Sequence, residues 1–386
     1  VSSGVVAPPG LRTHRAAVAA IFFLVGVLAG TWYARVPELR TALGLDFAEL
    51  GAVLLAQTVG VLIAMQLAGH LSPYLDSGAM IRVTAVVYPW FPAVVAVMSG
   101  PVTAAAGMLA WGLVAGLLDV GMNAQGVELE RRGRRPFLSG LHAMWGVGAL
   151  LGALAAVGAI QAGASLSAHF VVVACVLSAL ALVAGRHTPH ADVRRARERA
   201  GLRAGWTRVV LVLGSLGAAI AICEGAVSGW CGVFLREHRG AAADVAALGY
   251  FAFVMAQTGT RLFGDRLHRA LGPVALIRWS MAVTVVGVLV AVLSRDPWGS
   301  LAGFALQGCG LAVVIPIVAG AVGHSATRDT GLAIARYSTL HQAGVLAGPP
   351  LFGWLAQTFG IGAALASLVI PLAVIATMAR ATARTS

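Results

Sequence analysis

Hydrophobic positions in this chain fall in long blocks, and polar residues gather in the short joints between them. A block of about 20 residues is the length of helix that crosses about 30 Å of bilayer hydrocarbon. Twelve such spans are predicted, at residues 16–37, 48–73, 80–99, 101–126, 137–163, 165–185, 208–235, 246–267, 273–294, 298–324, 331–358 and 360–380. Glycine and proline recur inside them, as membrane helices tolerate. The short alternating segments of a membrane barrel are absent from the pattern. The first block follows Arg12 and Arg15 as the core of a secretory signal would. It runs on through Trp32 and Tyr33 without a persuasive cleavage site and is expected to be a retained span.

Composition supports the same solvent. The chain is 59% hydrophobic and 11% charged, whereas a soluble domain is about a quarter charged. A net charge of +12 would suit a nucleic-acid partner, but all 27 basic residues are arginines clustered in the joints. Topology accounts for them. With the N-terminus inside, only Arg35, Arg40, Arg236, Arg239 and Arg295 fall in outer joints. The bias predicts a multi-pass cell-membrane protein with both termini cytoplasmic. The run from Arg131 to Arg135 reads as an inside signal that touches anionic lipid. Cys175, Cys223, Cys231 and Cys309 lie inside spans without metal-ligand spacing and read as packing residues.

The longest inner joint divides the chain into residues 1–185, a cytoplasmic linker at 186–207, and residues 208–386. The two parts are related. "WYARVPELRTALGLDFAELG" matches "WCGVFLREHRGAAADVAALG", pairing Trp32 with Trp230 and Asp46 with Asp244 at an offset of 198. Leu141-His142 pairs with Leu340-His341 at 199. Asp46 and Asp244 are expected to cap the second and eighth spans, with Glu49 completing a capping box at the first. An even number of spans per half makes the repeats parallel. The expected fold is an all-α integral membrane protein, with twelve transmembrane helices in two parallel-repeat six-helix bundles. Gly148-xxx-Gly152 and Gly344-xxx-Gly348 are expected to bring helices close together.

With these features the chain resembles the major facilitator superfamily over essentially its whole length. The most specific local match is Gly264-Asp265-Arg266-Leu267-x-Arg269-x-x-Gly272, similar to that family's inner-loop motif. The resemblance implies that Gly264, Asp265, Arg266 and Arg269 form a cytoplasmic latch. The equivalent N-half stretch, "AGHLSPYLDSGAMIR", keeps Gly69 but lacks the Asp-Arg pair. "DVGMNAQGVELERR…LSGLHAMWGVG" looks like a bacterial subgroup distantly allied with sugar (fucose-type) permeases.

Buried polar residues are the candidates for chemistry, because a charge at mid-bilayer costs roughly 2.5–3.5 kcal/mol on insertion scales and normally faces protein or a wet cavity. Asp119 and Asn123 lie one turn apart, with Gly112 and Gly116 on the same face. They serve the substrate or proton pathway, or they tie their span to the first or second one. Glu224 sits near mid-depth of the seventh span, and burial can poise such a carboxylate for proton coupling. His142 and His341, with Tyr337 a turn before the latter, form a titratable relay or bridge the halves. In this fold the tenth span lines the cavity, which makes Gln307 a substrate ligand; Gln57 and Gln257 read as interhelical ties. Arg336 reads as a loop-pairing residue, and Trp32, Tyr33 and Trp298 as interfacial anchors.

No catalytic constellation, metal site, phosphate loop or cofactor motif is read in the sequence. The expected function is secondary active transport of a small solute by alternating access, coupled to protons as symport or efflux antiport. The partners are the solute, protons and the lipid bilayer, with no nucleic acid, and the protein is expected to be a monomer. The competing reading is a non-transporting receptor or scaffold of the same fold.

Overall fold

A computed structural model describes residues 10–71, 76–133, 137–188, 205–325 and 330–385. Residues 189–204 of the linker, residues 72–75 of the N-half loop, Arg134 and Arg135 of the arginine run, and the side chain of Asp265 lie outside the described residues. The chain is helical: α1 Leu11–Leu43, α2 Phe47–Leu71, α3 Ser77–Val87, α4 Phe91–Ala96, α5 Pro101–Gly133, α6 Leu138–Gln161, α7 Leu166–Gly185, α8 Arg208–Arg239, α9 Ala243–Leu293, α10 Pro297–Leu311, α11 Val314–Ser325, α12 Thr330–Phe359, α13 Ile361–Ser367 and α14 Val369–Met378. Among the described residues, ten spans are long and apolar enough to cross a membrane. The expected eighth and eleventh spans are helical but fall outside that set. Gln257 and Arg261 lower the hydropathy of the first, and His341, Gln342 and the Pro349-Pro350 pair that of the second.

Proline and glycine explain the interruptions. A proline lacks the N–H that would bond the carbonyl four residues back, and its ring crowds that carbonyl. Pro316 thus breaks the tenth span after Leu311, and Pro371 breaks the twelfth between α13 and α14. Pro89 and Pro92 split the third span into α3, a 3₁₀ turn at Tyr88–Trp90 and α4. Within α9 the chain turns at Gly272 (φ 72°, ψ 165°), a conformation open to glycine, before Pro273. Asp46 and Glu49 make the expected capping box: Asp46 Oδ1 accepts from the Glu49 N–H at 2.8 Å, and Glu49 Oε2 from the Asp46 N–H at 2.9 Å. Asp244 does not cap. Its helix starts after Ala242, which leaves Asp244 inside the first turn.

Two compact units emerge, residues 1–32 with 56–194 and residues 33–55 with 195–386. In the first unit α1 meets α6 through glycines. A Cβ on Gly26 or Gly30 would overlap the backbone of Trp145 or Ala149, and one on Gly148 or Gly152 would overlap that of Phe23 or Val27. Gly60 of α2 and Gly112 of α5 bring those helices equally close. In lipid such contact is driven by van der Waals packing, so small residues decide it. Trp32 is not the interfacial anchor expected. It is 2% exposed, edge-on to Trp111 at 4.8 Å and beside Phe170.

In the second unit α8 and α12 meet at Gly344, which faces the Ala218 backbone. Trp230, the repeat partner of Trp32, is also buried, between Phe47 and Phe352. The end of α1 and the start of α2 belong to this unit. Arg40 pairs with Glu237 of α8 at 2.6 Å and covers the Phe47 ring at 4.3 Å. The Phe47 N–H donates to Gln357 Oε1 of α12 at 3.1 Å. Arg35 is 1% exposed and paired with Glu38. Large apolar side chains stand exposed along α7, including Val172, Val176, Leu180 and Val183, a surface suited to lipid tails.

Candidate functional site

In the first unit the acid is held by its own helix. Asn123 Nδ2 donates to Asp119 Oδ1 at 3.0 Å and to the Asp119 carbonyl at 2.9 Å. The glycines before it are occupied: Gly112 and Gly116 lie against the backbone of α2. His142 of α6 is close enough to act electrostatically on Asp119. Its Nδ1 lies 3.0 Å from the Leu138 carbonyl, and one ring face meets Phe22 of α1 at 5.1 Å. A carbonyl can only accept, so Nδ1–H is the donor in this contact. The fold therefore brings Asp119, Asn123 and His142 together.

In the second unit the acid is held from outside its helix. Gln257 Nε2 of α9 donates to Glu224 Oε1 at 2.7 Å, the interhelical tie expected of Gln257. Arg261, one turn further along α9, places Nη2 3.8 Å from the same oxygen. Arg261 Nε donates at 3.1 Å to the Ala312 carbonyl. That carbonyl is the one Pro316 leaves without its helical partner, four residues back. The side chains of Glu224 and Arg261 are 26% and 41% exposed, so neither is sealed in packing. The Tyr33 and Tyr250 rings lie 4.8 Å apart, tilted by 32°, and both feel the charge of Glu224.

His341 and Tyr337 meet α8 two turns from Glu224. The His341 Nδ1 lies 3.2 Å from the Gly217 carbonyl, and the Tyr337 ring, 6.2 Å from the imidazole, fills the space beside Gly217. Gln307 is fully enclosed beside Gly287, with its Nε2 3.4 Å from the Gly303 carbonyl and its Oε1 unpaired. This puts it among packed helices. Of the latch residues, Gly264 approaches Val313 at the α10–α11 break, and Arg266 and Arg269 are exposed on α9. Arg336 covers Trp206 at 5.1 Å, the loop pairing expected of it.

The chain is 30% identical over 369 residues to an uncharacterized MFS-type transporter of Yersinia pestis, with 94% of each protein covered. The chain belongs to the major facilitator superfamily. Membrane protein MosC of Rhizobium meliloti is likewise 30% identical, over 95% of this chain and 89% of that one. The family model "Major Facilitator Superfamily" matches residues 213–385. The nucleoside transporter NupG shares the fold at a TM-score of 0.73 and 12% identity, covering 97% of this chain and 100% of that one. A D-xylose-proton symporter does so at 0.73 and 12%, covering 94% and 97%. At those identities the likeness concerns fold alone. This facilitator is a multi-pass membrane transporter.

Two groups of residues in this facilitator escape a reading of spans. Arg261 counts as one more inner-joint arginine when charges are used for topology, although its spacing from Gln257 puts both on one helical face. Arg40 and Glu237 lie in separate joints, and sequence carries no signal that pairs them.

Proposed function

We propose that this facilitator is a proton-coupled secondary transporter of a small solute, with twelve spans in two parallel six-helix repeats and both termini cytoplasmic. It works by alternating access, residues 1–185 and 208–386 moving as the two halves around a linker at 186–207. The observation that carries this reading is Glu224, a carboxylate in an apolar helix held between an amide and a guanidinium. A proton taken up there changes the charge of the cluster. Asp119 with Asn123 and His142 form the first half's polar group, and His341 with Tyr337 extend the second half's toward the end of α8 that bears the linker. Arg40 with Glu237 and Phe47 with Gln357 close the opposite end and have to part when it opens. Asp265 with Arg266 and Arg269 is the corresponding cytoplasmic latch, and Asp265→Asn raises labelling of cysteines placed at the inner helix ends.

Proteoliposomes test the reading. A pH gradient drives solute accumulation by the wild type, whereas Glu224→Gln exchanges solute across the membrane but does not accumulate it. Full pH-driven accumulation by Glu224→Gln removes this carboxylate from coupling.

A further inference from the structure

Arg261 is held in an unusual way. Its Nε is fixed to the backbone carbonyl of Ala312, exposed by the break that Pro316 makes in the tenth span. Its other nitrogens have not closed on Glu224, because 3.8 Å is contact between charges and not a hydrogen bond. The hydrogen bond to Glu224 Oε1 comes from Gln257. A guanidinium keeps its charge at any physiological pH and offers five N–H donors in a fork shaped for a carboxylate. While Glu224 is ionised the two charges offset each other. Once Glu224 takes a proton, a pinned, part-exposed cation is left with donors to spare for another carboxylate.

There is also room beside it. A Cβ built on Gly225, next to Glu224, meets nothing within 4 Å. The Tyr33–Tyr250 pair adds a flat, largely apolar surface within the field of Glu224. From the Arg261 guanidinium, its exposed donors, the space at Gly225 and the tyrosine pair, we infer that the solute is an organic acid with an apolar or aromatic body, whose carboxylate replaces that of Glu224 on Arg261.

This rests on the proposed proton uptake by Glu224 and assigns the chemistry of what is carried. Charge balances: one proton from water moves onto Glu224 as one solute carboxylate pairs with Arg261. Among the described residues, the groups facing Glu224 are Arg261 and Tyr250 from α9 and Tyr33 from α1, and the turn between α10 and α11 gives the Ala312 carbonyl to Arg261. Cys231 lies two turns along α8 in one direction, and His341 and Tyr337 of α12 meet Gly217 two turns away in the other. Tyrosine and cysteine hold their protons between about pH 6 and pH 8, so the pH dependence tests the proposed proton uptake by Glu224.

The test is equilibrium binding to the full-length protein in nanodiscs, with benzoate and its uncharged isostere benzamide as probes. Benzoate is ionised throughout the range from about pH 6 to about pH 8, so pH acts through the protein. The wild type binds benzoate roughly tenfold or more tightly at about pH 6 than at about pH 8, and binds benzamide weakly at both. Glu224→Gln keeps the oxygen that accepts from Gln257 but cannot ionise. It binds benzoate at about pH 8 as the wild type does at about pH 6, a gain that misfolding cannot imitate. Arg261→Gln loses benzoate, and Arg261→Lys keeps weakened binding. Equal affinity for benzamide, no benzoate binding by the wild type at either pH, or undiminished binding by Arg261→Gln overturns the assignment. Proton-driven flux is measured separately. Flux lost in Glu224→Gln alongside pH-independent benzoate binding in the wild type defeats the anion and spares the coupling; the reverse pattern defeats the coupling.

Discussion

The two halves of the chain each carry one acid deep in an apolar helix, and they hold it differently. Asp119 is bonded by Asn123 of its own helix, and the glycines leading to it are filled by the α2 backbone. Glu224 is bonded by Gln257 and faced by Arg261, both from α9, and the glycine beside it opens onto space. An acid hydrogen-bonded within its helix keeps that bond when the helix moves. An acid bonded from a neighbour gains or loses its partner when the helices shift. On the proposed mechanism the second arrangement couples charge to motion, and the first holds a helix together. The histidines repeat the contrast, because His142 bonds its own helix at Leu138 whereas His341 bonds α8 at Gly217.

The largest expected effect separates the two acids directly. Glu224→Gln lowers pH-driven accumulation by about tenfold or more, because the amide cannot take up the proposed coupling proton. Asp119→Asn leaves an oxygen for Asn123 to bond and lowers accumulation severalfold less. Equal losses in the two variants, measured side by side in proteoliposomes, would erase the distinction.

A smaller effect sharpens the packing side. Gly112→Val drives a side chain into the Gln57 and Gly60 backbone. It costs roughly 1–3 kcal/mol or more, seen as a lower thermal midpoint. Gly225→Ala meets nothing and gains up to about 1 kcal/mol from helix propensity. A fall in midpoint for Gly225→Ala would show that the space beside Glu224 is filled. The smallest effect lies at the joints. Asp46→Ala loses a two-way capping box worth about 1 kcal/mol, and Asp244→Ala, inside its helix, loses less. Chemical unfolding in detergent ranks the pair, and a larger loss at Asp244 reverses the reading.

Much of this fold was legible in the block pattern. Span length follows from bilayer thickness, and the Gly148-xxx-Gly152 and Gly344-xxx-Gly348 spacings announced the close contacts that Phe23, Val27 and Ala218 provide. Side-chain partners were less legible, because periodicity fixes which face a residue occupies and says little about what stands opposite. Trp32 looked like an interfacial anchor from its place at a span end, but its neighbours Trp111 and Phe170 come from distant parts of the chain. Arg261 was hidden by the charge rule, which gives every arginine a topological role. The relation of Asp46 to Asp244 failed for a local reason. The two share an offset, but the chain enters α9 two residues before the aspartate.

Pro316 gives the tenth span a mechanical property as well as an electrical one. A helix with a missing rung bends most easily at that rung, and Arg261 is the clip across the gap. On the proposed mechanism, a guanidinium drawn off Ala312 would loosen the clip and lower the stiffness of the α10–α11 rod at that point. Charge at one carboxylate and curvature of a neighbouring helix would then become a single variable. Pro316→Ala would fuse the rod, strand Arg261, and separate the two.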